Sequence, residues 1–290
     1  MTANTNSAPE SERTVLITGC SSGIGRRAAE MLAARGWRVF ATARKADDVH
    51  RLAADGFEAL RLDLDAPASI AEAVETVMER TGGRLYALFN NGAYGQPGAV
   101  EDLSRETLRA QFETNLFGWL DLTNRVIPHM RRAGRGRIVN NSSVLGLIAL
   151  PLRGAYNASK FALEGLTDTL RLELHGSGIH VSLIEPGPIE SRFRANAVRH
   201  LRERIDLARS PFARQYHGAL RRLERAGPAA PFTLPPEAVV RRLIHALESP
   251  RPKPRYYVTT PTYLFAMLRR LLPTRALDRI LRAVSARENV

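Results

Sequence analysis

The strongest constraint on the fold lies near the start of the chain. Thr14-Val-Leu-Ile-Thr18 is an unbroken apolar run that stops at Gly19, the pattern of a strand buried on both faces. A glycine-rich turn follows, and Gly23 to Arg35 then has helical spacing up to Gly36. A strand covered on both faces needs helices above and below it and further strands at its sides. Arg38–Thr42, Glu58–Leu62, Tyr86–Phe89, Arg137–Asn140 and His180–Ile184 read as five such strands, with Arg255–Val258 as a short last one. Amphipathic helices fill the gaps, notably near 104–132 and 155–175. Strict alternation of strand and helix predicts an α/β fold, a single doubly wound parallel sheet with helices on both faces.

Composition places limits on function. The chain has 290 residues, with 44% hydrophobic and 24% charged residues, ordinary for a globular protein. Its single cysteine, Cys20, excludes an intramolecular disulfide and a cysteine metal cluster, and no metal is expected. Residues 1–12 are polar, without the apolar centre of a signal peptide, and read as a disordered tail on a cytoplasmic protein. The unusual quantity is charge: 42 basic against 29 acidic residues give +13. Much of the excess falls late, at Arg192, Arg194, Arg199, Arg202, Arg204, Arg221, Arg222 and Arg225. Such an excess suits an anionic partner, and equally a solvated arginine-rich face. No nucleic-acid motif accompanies it, so nucleic acid is not expected.

Residues 13–260 read as one catalytic domain, within which 188–230, helical and basic, caps the substrate side. Phe193, Phe212 and Tyr216 in that cap, with Tyr94, Leu150 and Leu152, are equally readable as pocket lining or packing. Residues 261–290 form a basic amphipathic extension, too short and too charged to span a bilayer. Its apolar face, Leu264, Phe265, Leu268, Leu271 and Leu272, packs on the domain or a subunit contact in the reading we favour. The alternative is a peripheral membrane contact, with Arg269, Arg270 and Arg275 near headgroups.

The turn Thr18-Gly-Cys-Ser-Ser-Gly-Ile-Gly25 joins the first strand to the first helix. Glycines at 19, 23 and 25 let the backbone turn tightly and approach a pyrophosphate at the helix N-terminus. Gly19, Ser21, Ser22, Gly23, Ile24 and Gly25 are therefore candidate cofactor contacts, although the spacing differs from G-x-G-x-x-G. After the second strand comes Ala43-Arg44-Lys45, with no carboxylate for a ribose hydroxyl. Arg44 and Lys45 suit a 2′-phosphate, which selects NADP over NAD.

Tyr156 and Lys160 lie four apart on a predicted helix and share a face. Alone, such a pair is commonplace. Beside a nucleotide turn it makes sense chemically, because an ammonium lowers a phenol pKa that is otherwise too high for proton exchange near neutrality. Ser143, just past the fifth strand, is placed to hydrogen-bond a substrate oxygen.

Together with Asn90-Asn-Gly92, Asn115 and Pro186-Gly187, these motifs resemble the short-chain dehydrogenase/reductase family in order and spacing, over about residues 13–260. In detail the chain is similar to the NADP-preferring branch with bacterial aldehyde reductases and hydroxysteroid dehydrogenases. The resemblance implies a Rossmann-like domain that interconverts a carbonyl and an alcohol. Tyr156 would be the acid in reduction and the base in oxidation, Lys160 would lower its pKa and hold the nicotinamide ribose, and Ser143 would polarise the carbonyl. Asn115, at a disturbance in its helix, would hold a water in the relay to Lys160. Asp63, with Leu64, would contact the adenine, Asn90 would support sheet and cofactor, and Pro186, Gly187 and Ile189 would border the nicotinamide. A homo-oligomer, dimer or tetramer, built on the helices at 104–132 and 155–175 is also implied. Where the family usually reads Asn-Asn-Ala-Gly, this chain has Asn90-Asn91-Gly92-Ala93, and Ala93 is the less permissive residue if backbone freedom is needed there. A small apolar aldehyde, ketone or alcohol is the expected substrate, since no dedicated carboxylate clamp can be recognised. The alternative function is a catalytically silent NADP-binding regulatory module.

Overall fold

The computed structural model describes residues 13–225, 227 and 230–288. The tail read at 1–12 lies outside the described residues. Seven strands form one sheet: β1 (Thr14–Ile17), β2 (Arg38–Ala43), β3 (Glu58–Arg61), β4 (Ala87–Asn90), β5 (Gly136–Asn141), β6 (Ile179–Glu185) and β7 (Arg255–Tyr257). Their order is β3-β2-β1-β4-β5-β6-β7, and every pairing is parallel. The winding direction reverses between β1 and β4, which opens a crevice above their carboxyl ends.

The central strand shows why its sequence is uniformly apolar. Val15 and Ile17 join one core layer with Leu32 of α1 (Gly23–Ala33) and Val239, Leu243 and Leu247 of α9 (Glu237–Glu248). Leu16, between them, points to the other layer, with Val77 of α3 (Pro67–Thr81), Leu122 and Val126 of α5 (Gly118–Arg132) and Leu163 of α6 (Gly154–Glu173). Each such side chain contributes roughly 1.5–3 kcal/mol by leaving water. The short α2 (Ala46–Ala54) links β2 to β3.

The helix expected over 104–132 is continuous but not uniform. α4 (Arg105–Phe112) runs through a π-turn at Glu113–Phe117 into α5, and single π-turns mark places where a helix is bent to a functional purpose. A Cβ on Gly118 would lie 2.2 Å from the Leu64 carbonyl oxygen, so glycine is required where α5 passes the loop after β3. The outer faces of α5 and α6 leave Leu120, Phe161, Leu166 and Leu172 exposed, with Phe117 beside them.

Beyond β6 the chain forms α7 (Phe193–Arg204) and α8 (Ala213–Glu224). They pack on each other through Leu201, Ile205 and Tyr216 over Ala99. Tyr216 is fully buried; its hydroxyl donates to Asp102 (2.6 Å) and accepts from the Ala99 amide (2.7 Å). Tyr216 is therefore packing, and Phe212 packs beside it. α10 (Thr260–Leu271) and α11 (Thr274–Glu288) close the structure. Phe265, Leu268, Leu277, Ile280, Leu281 and Val284 lie against Leu145, Ile148, Leu150 and Tyr156, so much of this extension's apolar face is turned inward. Leu264 and Leu271 remain exposed. No helix among the described residues is long and apolar enough to cross a membrane.

Candidate active site

The loops after β1, β4, β5 and β6 meet at the carboxyl edge of the sheet and border one cleft of about 1700 Å³. The glycine turn forms one side. Gly19 (φ +72°) has no room for a side chain: a Cβ would lie 2.7 Å from the Gly92 Cα. A Cβ on Gly25 would lie 2.3 Å from the Gly19 carbonyl oxygen, and Gly23 (φ +57°) faces Ser191. Ser22, at the N-cap of α1, makes no side-chain capping bond. The turn thus presents glycine backbone, two serines and a helix N-terminus to the cleft, the surroundings that suit a phosphate.

Side-chain amides tie the loops together. Asn91 Nδ2 donates to the Thr18 carbonyl (3.0 Å), the amides of Asn91 and Gly92 both donate to Thr18 Oγ1 (2.8 Å each), and Asn141 Nδ2 donates to Asn91 Oδ1 (3.0 Å). Neither Gly92 nor Ala93 has a positive φ, so the exchanged order at these positions costs nothing in backbone strain.

Ser143 caps the one-turn helix Val144–Gly146 by accepting from the Leu145 amide (3.1 Å). Tyr156, in the first turn of α6, is pushed up to about 12 by burial, opposed by its hydrogen bond with the Ser143 hydroxyl. It is a neutral phenol across the physiological range. The expected lowering by Lys160 is not what governs it. Lys160 is 1% exposed, donates to the Asn141 carbonyl (2.8 Å) and lies 4.5 Å from the Trp119 ring centroid. Burial pulls its ammonium down to about 7, with Glu164 opposing. Asn115 lies within the π-turn, fully buried. It accepts from the Tyr94 amide (3.1 Å) and donates to the Tyr94 carbonyl (2.9 Å) and Ser159 Oγ (3.3 Å).

The structure brings Gly19, Ser21, Ser22, Gly23 and Ile24 into one cleft with Ser143, Tyr156 and Lys160, and Gly92, Pro186, Gly187 and Ile189 border it too. Gly187 is held against β7's exit, where a Cβ would lie 2.1 Å from Thr259 Oγ1. Arg44 and Lys45 are exposed just past the end of β2. Asp63 caps its own loop by accepting from the Asp65 amide (3.2 Å), and Leu64 packs towards Gly92 and Gly118. Asn90 does not reach the cleft: its side chain is spent inside the fold, donating to Thr123 (3.0 Å) and Asn140 (2.9 Å).

Sequence reasoning missed Asn91 and Asn141, and the charges behind Lys160. There Arg255 on β7 bridges Glu164 of α6, Glu185 of β6 (2.6 Å) and Asp168 of α6 (2.6 Å). Glu185 is fully buried, and burial, then Glu164, pushes its carboxyl up to about 8. Phe193 packs edge-on to Tyr156 with centroids 5.4 Å apart, over Gly95, where a Cβ would lie 2.7 Å from its ring. The cap thus touches the tyrosine directly.

With this geometry in view, the comparisons are consistent. The short chain dehydrogenase family model matches residues 13–202. The oxidoreductase YbbO of Escherichia coli K12 is 46% identical over 270 residues, covering 93% of this chain and 94% of that protein. The NADPH-dependent 3-dehydrocapnine reductase of Ornithobacterium rhinotracheale is 31% identical, covering 92% of this chain and 95% of its own. A solved short-chain dehydrogenase/reductase from Burkholderia phymatum, in complex with NAD, superposes with a TM-score of 0.72 at 28% identity, covering 93% of this chain and 95% of its own. The chain belongs to the short-chain dehydrogenase/reductase family. It is an oxidoreductase of that family, acting between CH–OH and carbonyl groups.

Proposed function

We propose that this protein is an NADP(H)-dependent reductase of aldehydes or ketones, with Tyr156 as the proton donor. One observation carries the reading: Ser143, Tyr156 and Lys160 converge in the cleft whose far side is the glycine turn. The turn at residues 19–25 suits a dinucleotide pyrophosphate, because its glycines at 19, 23 and 25 leave no room for larger residues and the turn leads into the N-terminus of α1. Arg44 and Lys45 would hold the 2′-phosphate, and the NADPH-dependent relative agrees, whereas the NAD-bound neighbour leaves the choice to these residues. The bound cofactor would supply the hydride; the chain supplies everything else.

Tyr156, a phenol held protonated by burial, donates its proton to the carbonyl oxygen as charge develops there. The Ser143 hydroxyl stabilises the same oxygen. Lys160, with its ammonium near 7, returns a proton to the phenolate, through the relay position at Asn115. The apolar wall of Leu145, Ile148, Leu150, Phe193, Leu264 and Phe265 supports an apolar substrate and makes the extension at 261–290 part of the site.

A silent NADP-binding module is disfavoured by the same lysine. Burying an ammonium costs several kcal/mol, and a cofactor sensor without chemistry gains nothing from it. Titrating wild type and Arg44→Asp with both dinucleotides tests the cofactor assignment. NADPH affinity should drop by at least about tenfold, the scale of a lost charge-assisted pair, while NADH affinity holds or improves. Equal losses for the two would sink the assignment.

A further inference from the structure

The cleft has two chemistries. Its wall beside Tyr156 is apolar, but its rim is cationic. Arg221 and Arg225 reach it from the end of α8, and Arg287 from the end of α11. All three are exposed, and none is paired with a carboxylate among the described residues. Several other surface arginines do have carboxylate partners: Arg26 with Glu30 (2.7 Å), Arg35 with Glu248 (2.5 Å), Arg38 with Glu58 (2.5 Å). Glu224, the carboxylate next to Arg225, is taken by Arg202 of α7 (2.5 Å). Arg194 donates to the carbonyls of Arg225 (3.2 Å) and Gly227 (2.5 Å), pinning the chain after α8 to the start of α7. Glu190 is the one acidic side chain bordering the cleft among the described residues.

The cofactor does not account for these three. Arg192 stands beside Ser21 of the glycine turn, where both border a second, smaller pocket, at the cofactor end of the cleft. Arg44, for the 2′-phosphate, is outside the cleft. Arg287 instead stands on α11, which packs on Leu145 and Ile148, and Arg221 and Arg225 stand at the end of α8, whose Ala219 and Leu223 border the same cleft.

We infer that the carbonyl substrate is an amphipathic anion, with an apolar chain along the Leu145–Phe265 wall and an oxyanion head group (carboxylate, phosphate or sulfonate) paired by Arg221, Arg225 and Arg287. This rests on the carbonyl-reductase reading above. It replaces the apolar substrate that the sequence suggested, because these arginines come from two helices far apart along the chain and border the same cleft. It also gives part of the +13 charge a specific use. Guanidinium forks suit all three head groups, bidentate where geometry allows.

The test compares a long-chain ω-oxo fatty acid with its methyl ester, in NADPH oxidation by wild type and by the R221Q/R225Q/R287Q variant. Exposed ion pairs are individually weak, and three converging on one head group should give wild type about a tenfold higher kcat/KM for the acid at low salt. That advantage should shrink towards unity near ~1 M salt, where screening is within ~3 Å. The variant should lose the preference while reducing the ester within about twofold of wild type, tenfold being the size of the lost ion-pair effect. Equal kcat/KM for acid and ester in wild type at low salt overturns the inference, as does a preference that survives in the variant. Should the variant lose both substrates, the wild-type ratio and its salt dependence decide alone. If neither compound is reduced while neutral ketones are, the inference falls and the reductase reading stands; if no carbonyl oxidises NADPH, both fall.

Discussion

Lys160 is 1% exposed, and its ammonium is pulled down to about 7 by burial, with Glu164 as the opposing influence. Glu164 is itself held by Arg255, which also pairs with Glu185 and Asp168. The groups facing this region are therefore Tyr156, Glu164 and Asp168 from α6, Glu185 from β6, and Arg255 and Tyr257 from β7. If reduction needs the lysine's proton, the rate should decline as pH rises through about 7. Glu164→Gln removes the anion that favours the ammonium, so the lysine pKa falls and the decline begins at lower pH. A pH profile of kcat read beside Tm separates this from packing alone, which would lower Tm or amplitude without moving the limb. Tyr156 and Lys160 were legible from their spacing once a nucleotide turn preceded them. Glu164 lies one further turn along the same face, but nothing in a helix's spacing reveals that β6 and β7 bring Glu185 and Arg255 to it.

Among the elements, β1 and the glycine turn were the most legible, because a strand buried on both faces leaves no polar position to misread. The C-terminal extension was harder. Its leucines and arginines suit a membrane surface as well as a protein face, and only the position of Val144–Gly146 beneath α10 and α11 decides where Phe265 and Leu281 point. Leu281 is 6% exposed in the cluster containing Leu145, Ile148 and Tyr156. Placing a carboxylate there, in Leu281→Asp, should cost about 3 kcal/mol or more, and should lower Tm and raise KM for the carbonyl. NADPH affinity should change little, since the apolar cluster that Leu281 joins contains no glycine-turn residue. Leu271→Asp, at a position 70% exposed, should change none of these; similar effects from both substitutions, followed by thermal melts and steady-state kinetics, would contradict the inward packing.

At the scale of the whole molecule, strand–helix alternation dictates a parallel sheet, and the sheet's direction reversal between β1 and β4 explains how distant motifs meet. Gly19 follows β1, Asn91 follows β4, Ser143 follows β5 and Gly187 follows β6, so parallel strands deliver all four to one edge. The motifs were visible one at a time; their convergence is a property of the winding. The cap was not legible in the same way, because α7 and α8 carry arginines on several faces and only their packing shows which border the cleft. The central claim is that this cleft binds NADPH and that Tyr156 delivers the proton. NADPH oxidation with a reducible aldehyde, measured for wild type and Tyr156→Phe alongside NADPH fluorescence titration, tests it most directly. Tyr156→Phe should bind NADPH as wild type does while turnover falls by at least about 100-fold; turnover that survives the substitution would exclude Tyr156 as the proton donor.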